Sequence, residues 1–161
     1  MIIGIHHIAI SVPDIDDGLA FYRDVLGFEQ VRRSSISGNV PAVEAAIGIK
    51  APVAQVAMLR GGNAYIELWA YEHPKPRDKR ADPPDFGYPH FALEVKNIKQ
   101  EYKRLKDAGM DFVGEPVNFG KTSAIYGRDP FGNIIELSEV KAADSTSLAN
   151  APLINTKIPE A

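Results

Sequence analysis

"HIAISVPDIDDGLAFYRDVLGFEQV" at residues 7–31 and "HFALEVKNIKQEYKRLKDAGMDFV" at residues 90–113 are two renderings of one pattern. Each opens on a histidine, continues as an alternating apolar strand, and meets a capping type of residue, Asp14 or Asn97, just before an isoleucine. An amphipathic helix follows, then a glycine, Gly27 or Gly109, and a new apolar run. Asp and Asn cap helix N-termini by accepting free amide hydrogens, and glycine ends helices by entering the left-handed conformation without a Cβ clash. After the first helix, apolar runs lie near residues 28–37, 53–60 and 64–71; after the second they lie near 111–118, 122–127 and 133–140. Turn clusters such as "RGGN" and "RDPFGN" separate them. Each half therefore reads β-α-β-β-β, and a repeat on this scale fixes the architecture before any single motif does. The fold class is α+β, with module one over residues 4–71 and module two over residues 88–140.

Between the modules, "EHPKPRDKRADPPDFG" (72–87) mixes four prolines with many charges and has no strand or helix period, so it reads as a linker. The stretch "SGNVPAVEAAIGIKAP" (37–52) has no counterpart in module two, and "AVEAAIGI" within it predicts a short helix forming a lid or pocket wall. Past Val140 the pattern stops, and residues 141–161 read as a loose C-terminal tail or an arm laid on a partner.

Composition excludes several function classes. A chain of 161 residues with net charge -3 and scattered basic residues offers no basic face for a phosphate backbone, so nucleic acid is not an expected partner. The absence of cysteine removes disulfides, thiolate ligands and thiol nucleophiles, and suits a cytoplasmic setting. The opening "MIIGIHHIAISV" lacks the basic region of a signal peptide, and no apolar run has the length of a bilayer span, so no membrane partner is expected.

Strand alternation assigns the faces. His7, Ala9 and Ser11 share one face of the first strand, opposite Ile8, Ile10 and Val12; His90, Ala92 and Glu94 do the same opposite Phe91, Leu93 and Val95. In "GNAYIEL" and its continuation, Tyr65, Glu67 and Trp69 lie together, and in "GNIIEL" the group is Ile134, Glu136 and Ser138. Each module thus sets one histidine and one glutamate on the face turned away from its helix. A carboxylate there is costly unless it is paired, hydrogen-bonded or bound to a cation. Brought together by the repeat, His7, Glu67, His90 and Glu136 make a His2Glu2 set suited to one divalent ion, with zinc, nickel, cobalt or manganese ahead of iron. On the same faces, Ser11, Tyr65, Trp69 and Glu94 are candidate pocket residues, although Tyr65 and Trp69 also suit a core. Lys121 and Arg128 flank the strand near 122–127 and are candidates to hold an anionic substrate group.

The stretches "HHIAISVPDIDDGLAFYRDVLGF", "YIELW", "GYPHFALEVKNI" and "DPFGNIIEL" resemble, in the same order, the vicinal oxygen chelate superfamily of glyoxalases, bleomycin resistance proteins and extradiol dioxygenases. The resemblance covers roughly residues 5–140. It implies a cupped mixed sheet around a metal, with metal ligands at His7, Glu67, His90 and Glu136, and a metal-dependent glyoxalase I-like member. The implied reaction is that of a lyase or isomerase/epimerase acting on a small oxygenated substrate through a metal-chelated enediolate, with Glu136 as the base and Glu67 as its symmetric alternative. It also implies a homodimer. Two further readings accompany it: an Fe(II)-dependent ring-cleaving dioxygenase, for which a carboxylate at Glu67 is not required, and a non-catalytic drug-binding resistance protein, which needs no metal. Ser11 and Tyr71 stand where bacterial glyoxalase I carries the arginine and asparagine that hold glutathione, which points away from a glutathione-linked substrate.

Overall fold

The computed structural model describes residues 2, 4–141, 144 and 146–150. The first module comprises β1 (His7–Ser11), α1 (Ile15–Leu19), which continues as a π-helical stretch (Ala20–Val25), β2 (Glu29–Ser37), α2 (Pro41–Ile47), β3 (Val53–Arg60) and β4 (Tyr65–His73). The second comprises β5 (His90–Glu94), α3 (Ile98–Asp107), β6 (Asp111–Phe112), β7 (Val117–Asn118), β8 (Thr122–Arg128) and β9 (Ile134–Val140). Each module forms its own mixed sheet. The first has the order β1-β4-β3-β2 and the second β5-β9-β8-β6, with β7 also paired to β8. In each, the first strand runs parallel to the last, and the remaining pairs are antiparallel. The repeat therefore extends to strand order and direction.

The apolar face of each sheet is buried beneath its helix. Leu59 and Leu68 on the first sheet and Ile15 and Tyr22 above it are 0 % exposed. Gly18 permits this contact: a Cβ there would lie 3.0 Å from Val12 Cγ2 and 3.2 Å from Leu68 Cδ1. In the second module Ile135 and Leu137 are equally buried, with Ile98 and Leu105 from α3 nearly so. Each such side chain contributes about 1.5–3 kcal/mol relative to exposure, which fixes which face of the sheet is left for chemistry.

The two helix starts differ from the expectation of matching caps. Asp14 accepts hydrogen bonds from the backbone N–H of Asp16 at 2.8 Å and of Asp17 at 3.1 Å. Asn97 does not cap α3: its backbone is left-handed (φ 56°), and its side-chain amide donates instead to Gln100 Oε1. Glu139 from β9 takes over, accepting from Asn97 N at 2.7 Å and Ile98 N at 3.3 Å. A carboxylate at that position also complements the positive end of the helix dipole. Gly27 (φ 81°) and Gly109 (φ 101°) do occupy the left-handed conformation expected of them.

Three boundaries also depart from the reading above. The apolar run at 111–118 is two short strands, because Gly114 and Pro116 interrupt it and proline has no N–H to give a neighbouring strand. β4 continues to His73, two residues into the linker segment. The chain separates into compact units at Lys79/Arg80, inside the segment expected as linker. The reason is visible in its second half: Arg128 donates to Gly132 O and Asp82 Oδ1, both at 2.7 Å, and to Ala81 O at 3.3 Å, while Arg80 reaches Phe131 O at 3.4 Å. Of the segment expected as a loose tail, residues 141, 144 and 146–150 are described, and the stretch around Ser147 is anchored. Ser147, 2 % exposed, donates to Glu94 Oε1 at 2.7 Å, and Leu148 N donates to Glu94 Oε2 at 2.6 Å. Residues 142, 143, 145 and 151–161 lie outside the described residues. Among the described residues no helix is long and apolar enough to cross a membrane.

Candidate active site: two histidine–glutamate pairs

Parallel pairing of first and last strands builds the same constellation twice. In module one His7 lies opposite Tyr65 and Ala9 opposite Glu67; in module two His90 lies opposite Ile134 and Ala92 opposite Glu136. The histidine is thus diagonal to the glutamate on the same face, within reach of a long side chain. The alanine directly across from each carboxylate leaves it room. His7 Nε2 is 3.5 Å from Glu67 Oε2, and His90 Nε2 is 3.2 Å from Glu136 Oε2. Two ligands bonded to one divalent ion at about 2.0–2.2 Å stand about 2.8–3.1 Å apart at octahedral and about 3.3–3.6 Å apart at tetrahedral angles. Each pair has that bite, and both glutamates are largely shielded, at 13 % and 20 % side-chain exposure. Among the described residues no group of three or more His, Asp or Glu side chains gathers as a metal cluster; the candidate ligands occur as these pairs.

The surroundings of the pairs differ. Glu67 Oε2 accepts a hydrogen bond from Trp69 Nε1 at 2.7 Å, and the indole stacks on Tyr71 with ring centroids 5.1 Å apart. Burial pushes the Tyr71 phenol above its usual range, with the charge of Glu67 adding to the effect. In module two the residue in the place of Trp69 is Ser138, and the strand neighbour of Glu136 is Tyr126, where Glu67 has Met58. The Tyr126 hydroxyl lies 3.4 Å from His90 Nε2, and the rings pack at 4.7 Å. Tyr126 was legible in principle, since alternation along "TSAIYGR" sets it on the face of Arg128.

Of the other candidates, Ser11 is exposed opposite Trp69, and Tyr65 stacks on His6 at 5.0 Å. His6 precedes the strand, so alternation does not carry it to the far side; its Nδ1 is 2.8 Å from that of His7. Glu94 holds the segment around Ser147, and Arg128 holds Asp82 and Gly132, so both serve local structure. Lys121 Nζ lies 3.9 Å from Asp144 Oδ2 and is 85 % exposed.

The family described as Glyoxalase/Bleomycin resistance protein/Dioxygenase superfamily matches residues 4–137. Among curated proteins the chain is 31% identical over 139 residues to a probable lactoylglutathione lyase of Synechocystis sp., covering 84% of this chain and 95% of that protein. It is 28% identical over 149 residues to a 2-epi-5-epi-valiolone epimerase of Actinomyces sp., covering 87% and 81%. It is 27% identical over 148 residues to the mitochondrial methylmalonyl-CoA epimerase of Homo sapiens, covering 84% and 73%. Among solved structures, a glyoxalase family protein from Bacillus cereus shares the fold with a TM-score of 0.79 at 24% identity, over 87% of this chain and 95% of that one. The relatives with named activities are epimerases and lactoylglutathione lyases, one of these termed probable, and the family match takes in both histidine–glutamate pairs. With the family matched over residues 4–137, and with a strand–helix module repeated both in the sequence and in the register of its two sheets, the chain belongs to the glyoxalase/bleomycin resistance protein/dioxygenase superfamily.

Proposed function

We propose that this chain is a metal-dependent lyase or isomerase/epimerase that moves a proton next to a carbonyl of a small oxygenated substrate. The observation that carries the reading is the equivalence of the two pairs, His7–Glu67 at 3.5 Å and His90–Glu136 at 3.2 Å, in a chain related to epimerases and a lyase. Together the pairs would hold one divalent ion. When bound, that ion supplies positive charge to the oxygen that becomes anionic as the neighbouring C–H bond breaks.

Glu136 takes the proton from carbon through a carboxylate oxygen and returns it to the neighbouring carbon, while inversion of the same carbon would need a second proton donor on its opposite face. It suits this role better than Glu67, because the indole of Trp69 fixes Glu67 Oε2. Glu67 is therefore the stationary ligand. No covalent nucleophile is required, which agrees with a chain lacking cysteine.

Metal content tests the reading. Protein purified without added metal and then incubated with zinc, nickel, cobalt, manganese or ferrous ion should hold near one ion per pair of His–Glu pairs, and Glu67→Ala and Glu136→Ala should each lose it. No binding of any of these ions overturns the reading. Mixing the two variants distinguishes the arrangements: recovered metal means that pairs from two chains share an ion, as in a homodimer, and none means that both pairs come from one chain.

A further inference from the structure

β2 contains a bulge. Gln30 pairs with Leu59 and Arg32 with Met58, so Val31 is left over. Without it Arg32 would stand opposite Ala57, on the face buried against α1. Bulges re-aim side chains in this way. Here the bulge puts Arg32, Ser34 and Ile36 on the face of Glu67 and Trp69: Arg32, Met58 and Glu67 form one cross-strand row, and Ser34, Val56 and Trp69 form the next.

An open cleft of about 530 Å³ lies there, within module one. Its walls include Arg32, Ser34, Ile36, Val43, Ile47 and Trp69, with the apolar side of α2 forming one flank. No carboxylate lines it. The neighbouring guanidiniums are occupied, Arg33 by Asp16 and Gln55 and Arg60 by Glu29. The Arg32 guanidinium, among the described residues, has no such partner. One unpaired cation at the edge of an apolar cleft matches a singly charged planar anion, which an arginine fork can bind through two parallel hydrogen bonds. A phosphate dianion would call for more positive charge than the cleft holds.

We infer that this cleft is the subsite for the remote end of the substrate, an apolar body ending in a carboxylate that binds Arg32. The inference rests on the preceding reading in taking Glu67 to mark the reacting end. Adjacent strands stand about 4.8 Å apart, so two steps along the row set the backbone of Arg32 roughly 10 Å from that of Glu67. The substrate class is thus a carboxylic acid whose carboxylate is separated from the reacting carbons by a short apolar spacer. Trp69 joins the two regions, with its ring in the cleft wall and its N–H on Glu67.

Trp69 is the chain's single tryptophan, so its fluorescence reports on the cleft directly. The full-length protein, stripped of metal with a chelator, is titrated with 4-phenylbutyrate and with neutral 4-phenylbutyramide. The carboxylate should give a saturable change and bind at least tenfold more tightly than the amide. Arg32→Gln should abolish that preference, and Val43→Phe, which narrows the cleft, should weaken both probes while leaving Arg32 in place. Equal binding of the two probes by the native protein, a preference that survives Arg32→Gln, or no saturable signal from either probe overturns the inference. Because the titration uses metal-free protein, its failure leaves the metal-site reading standing, and absence of metal binding leaves this result interpretable.

Discussion

Replacing Trp69 with phenylalanine removes one N–H and little else. Phenylalanine keeps an aromatic ring to stack on Tyr71, 5.1 Å away in the native protein, while the 2.7 Å hydrogen bond to Glu67 disappears. Two routes give the magnitude. A hydrogen bond to a charged acceptor contributes about 1.5–3 kcal/mol. Loss of a partner that orients a metal ligand typically lowers metal affinity about 10–100-fold, or about 1.4–2.8 kcal/mol. The ranges overlap, so Trp69→Phe should weaken zinc binding by one to two orders of magnitude, measured by competition with a chromophoric chelator at fixed pH. Tyr126→Phe is the comparison, since its hydroxyl stands 3.4 Å from His90 Nε2, at the long limit of a hydrogen bond, and its effect should be several-fold smaller. Native-like zinc affinity in Trp69→Phe, with native far-ultraviolet circular dichroism, would refute the claim that the indole fixes Glu67 as a ligand. An equal loss in both variants would refute the asymmetry between the pairs.

Three further outcomes follow from the packing and electrostatics. In Gly127→Ala the new Cβ would meet the Phe112 ring at 2.6 and 2.7 Å and Met110 Cε at 3.0 Å, which should cost about 1–3 kcal/mol in thermal unfolding. Glu139→Gln keeps an acceptor for the first amides of α3 but removes its charge, and should cost about 0.3–1 kcal/mol by denaturant midpoint; an unchanged midpoint contradicts the capping role. Hydrogen bonds from Thr146 N and then its hydroxyl hold the Asp144 carboxyl below its ordinary value of 3.8. A depressed folded value means that the stabilisation is present above 3.8 and fades as pH falls through the lower folded value. The Thr146 amide resonance should therefore stay constant from neutral pH down to about that point, and a transition near pH 5 contradicts the assignment.

Much of this fold was legible because it is written twice. The histidine, the alternating apolar strand, the helix and the glycine at Gly27 and Gly109 recur in order, and period-two alternation set His7 and Glu67, and His90 and Glu136, on the same faces. Features governed by distant partners were not legible. Asn97 has the chemistry of a cap, yet the cap comes from Glu139, 42 residues on, because a left-handed backbone turns the asparagine side chain away. Glu94 and Arg128 looked available for a substrate because sequence gives no sign of Ser147 or Asp82 beside them. Arg32 was hidden for another reason. Alternation assumes an unbroken register, and the single extra residue Val31 reverses the faces beyond it.

Duplication explains why the pairs exist, and divergence explains how they can differ in role. Equivalent backbone positions give each pair the same bite, but the residue two places after each glutamate is Trp69 in one module and Ser138 in the other. An indole N–H donates along one direction and holds a single oxygen of Glu67, and serine at the matching place leaves Glu136 without such a clamp. One carboxylate is therefore suited to staying still and the other to moving with a proton. The same tryptophan walls the cleft beside Arg32, so a ligand in that cleft would touch the side chain that donates to Glu67. On the proposed roles, recognition at the far end of a substrate and positioning at its reacting end would meet in one side chain of one module, and the other module would carry the proton.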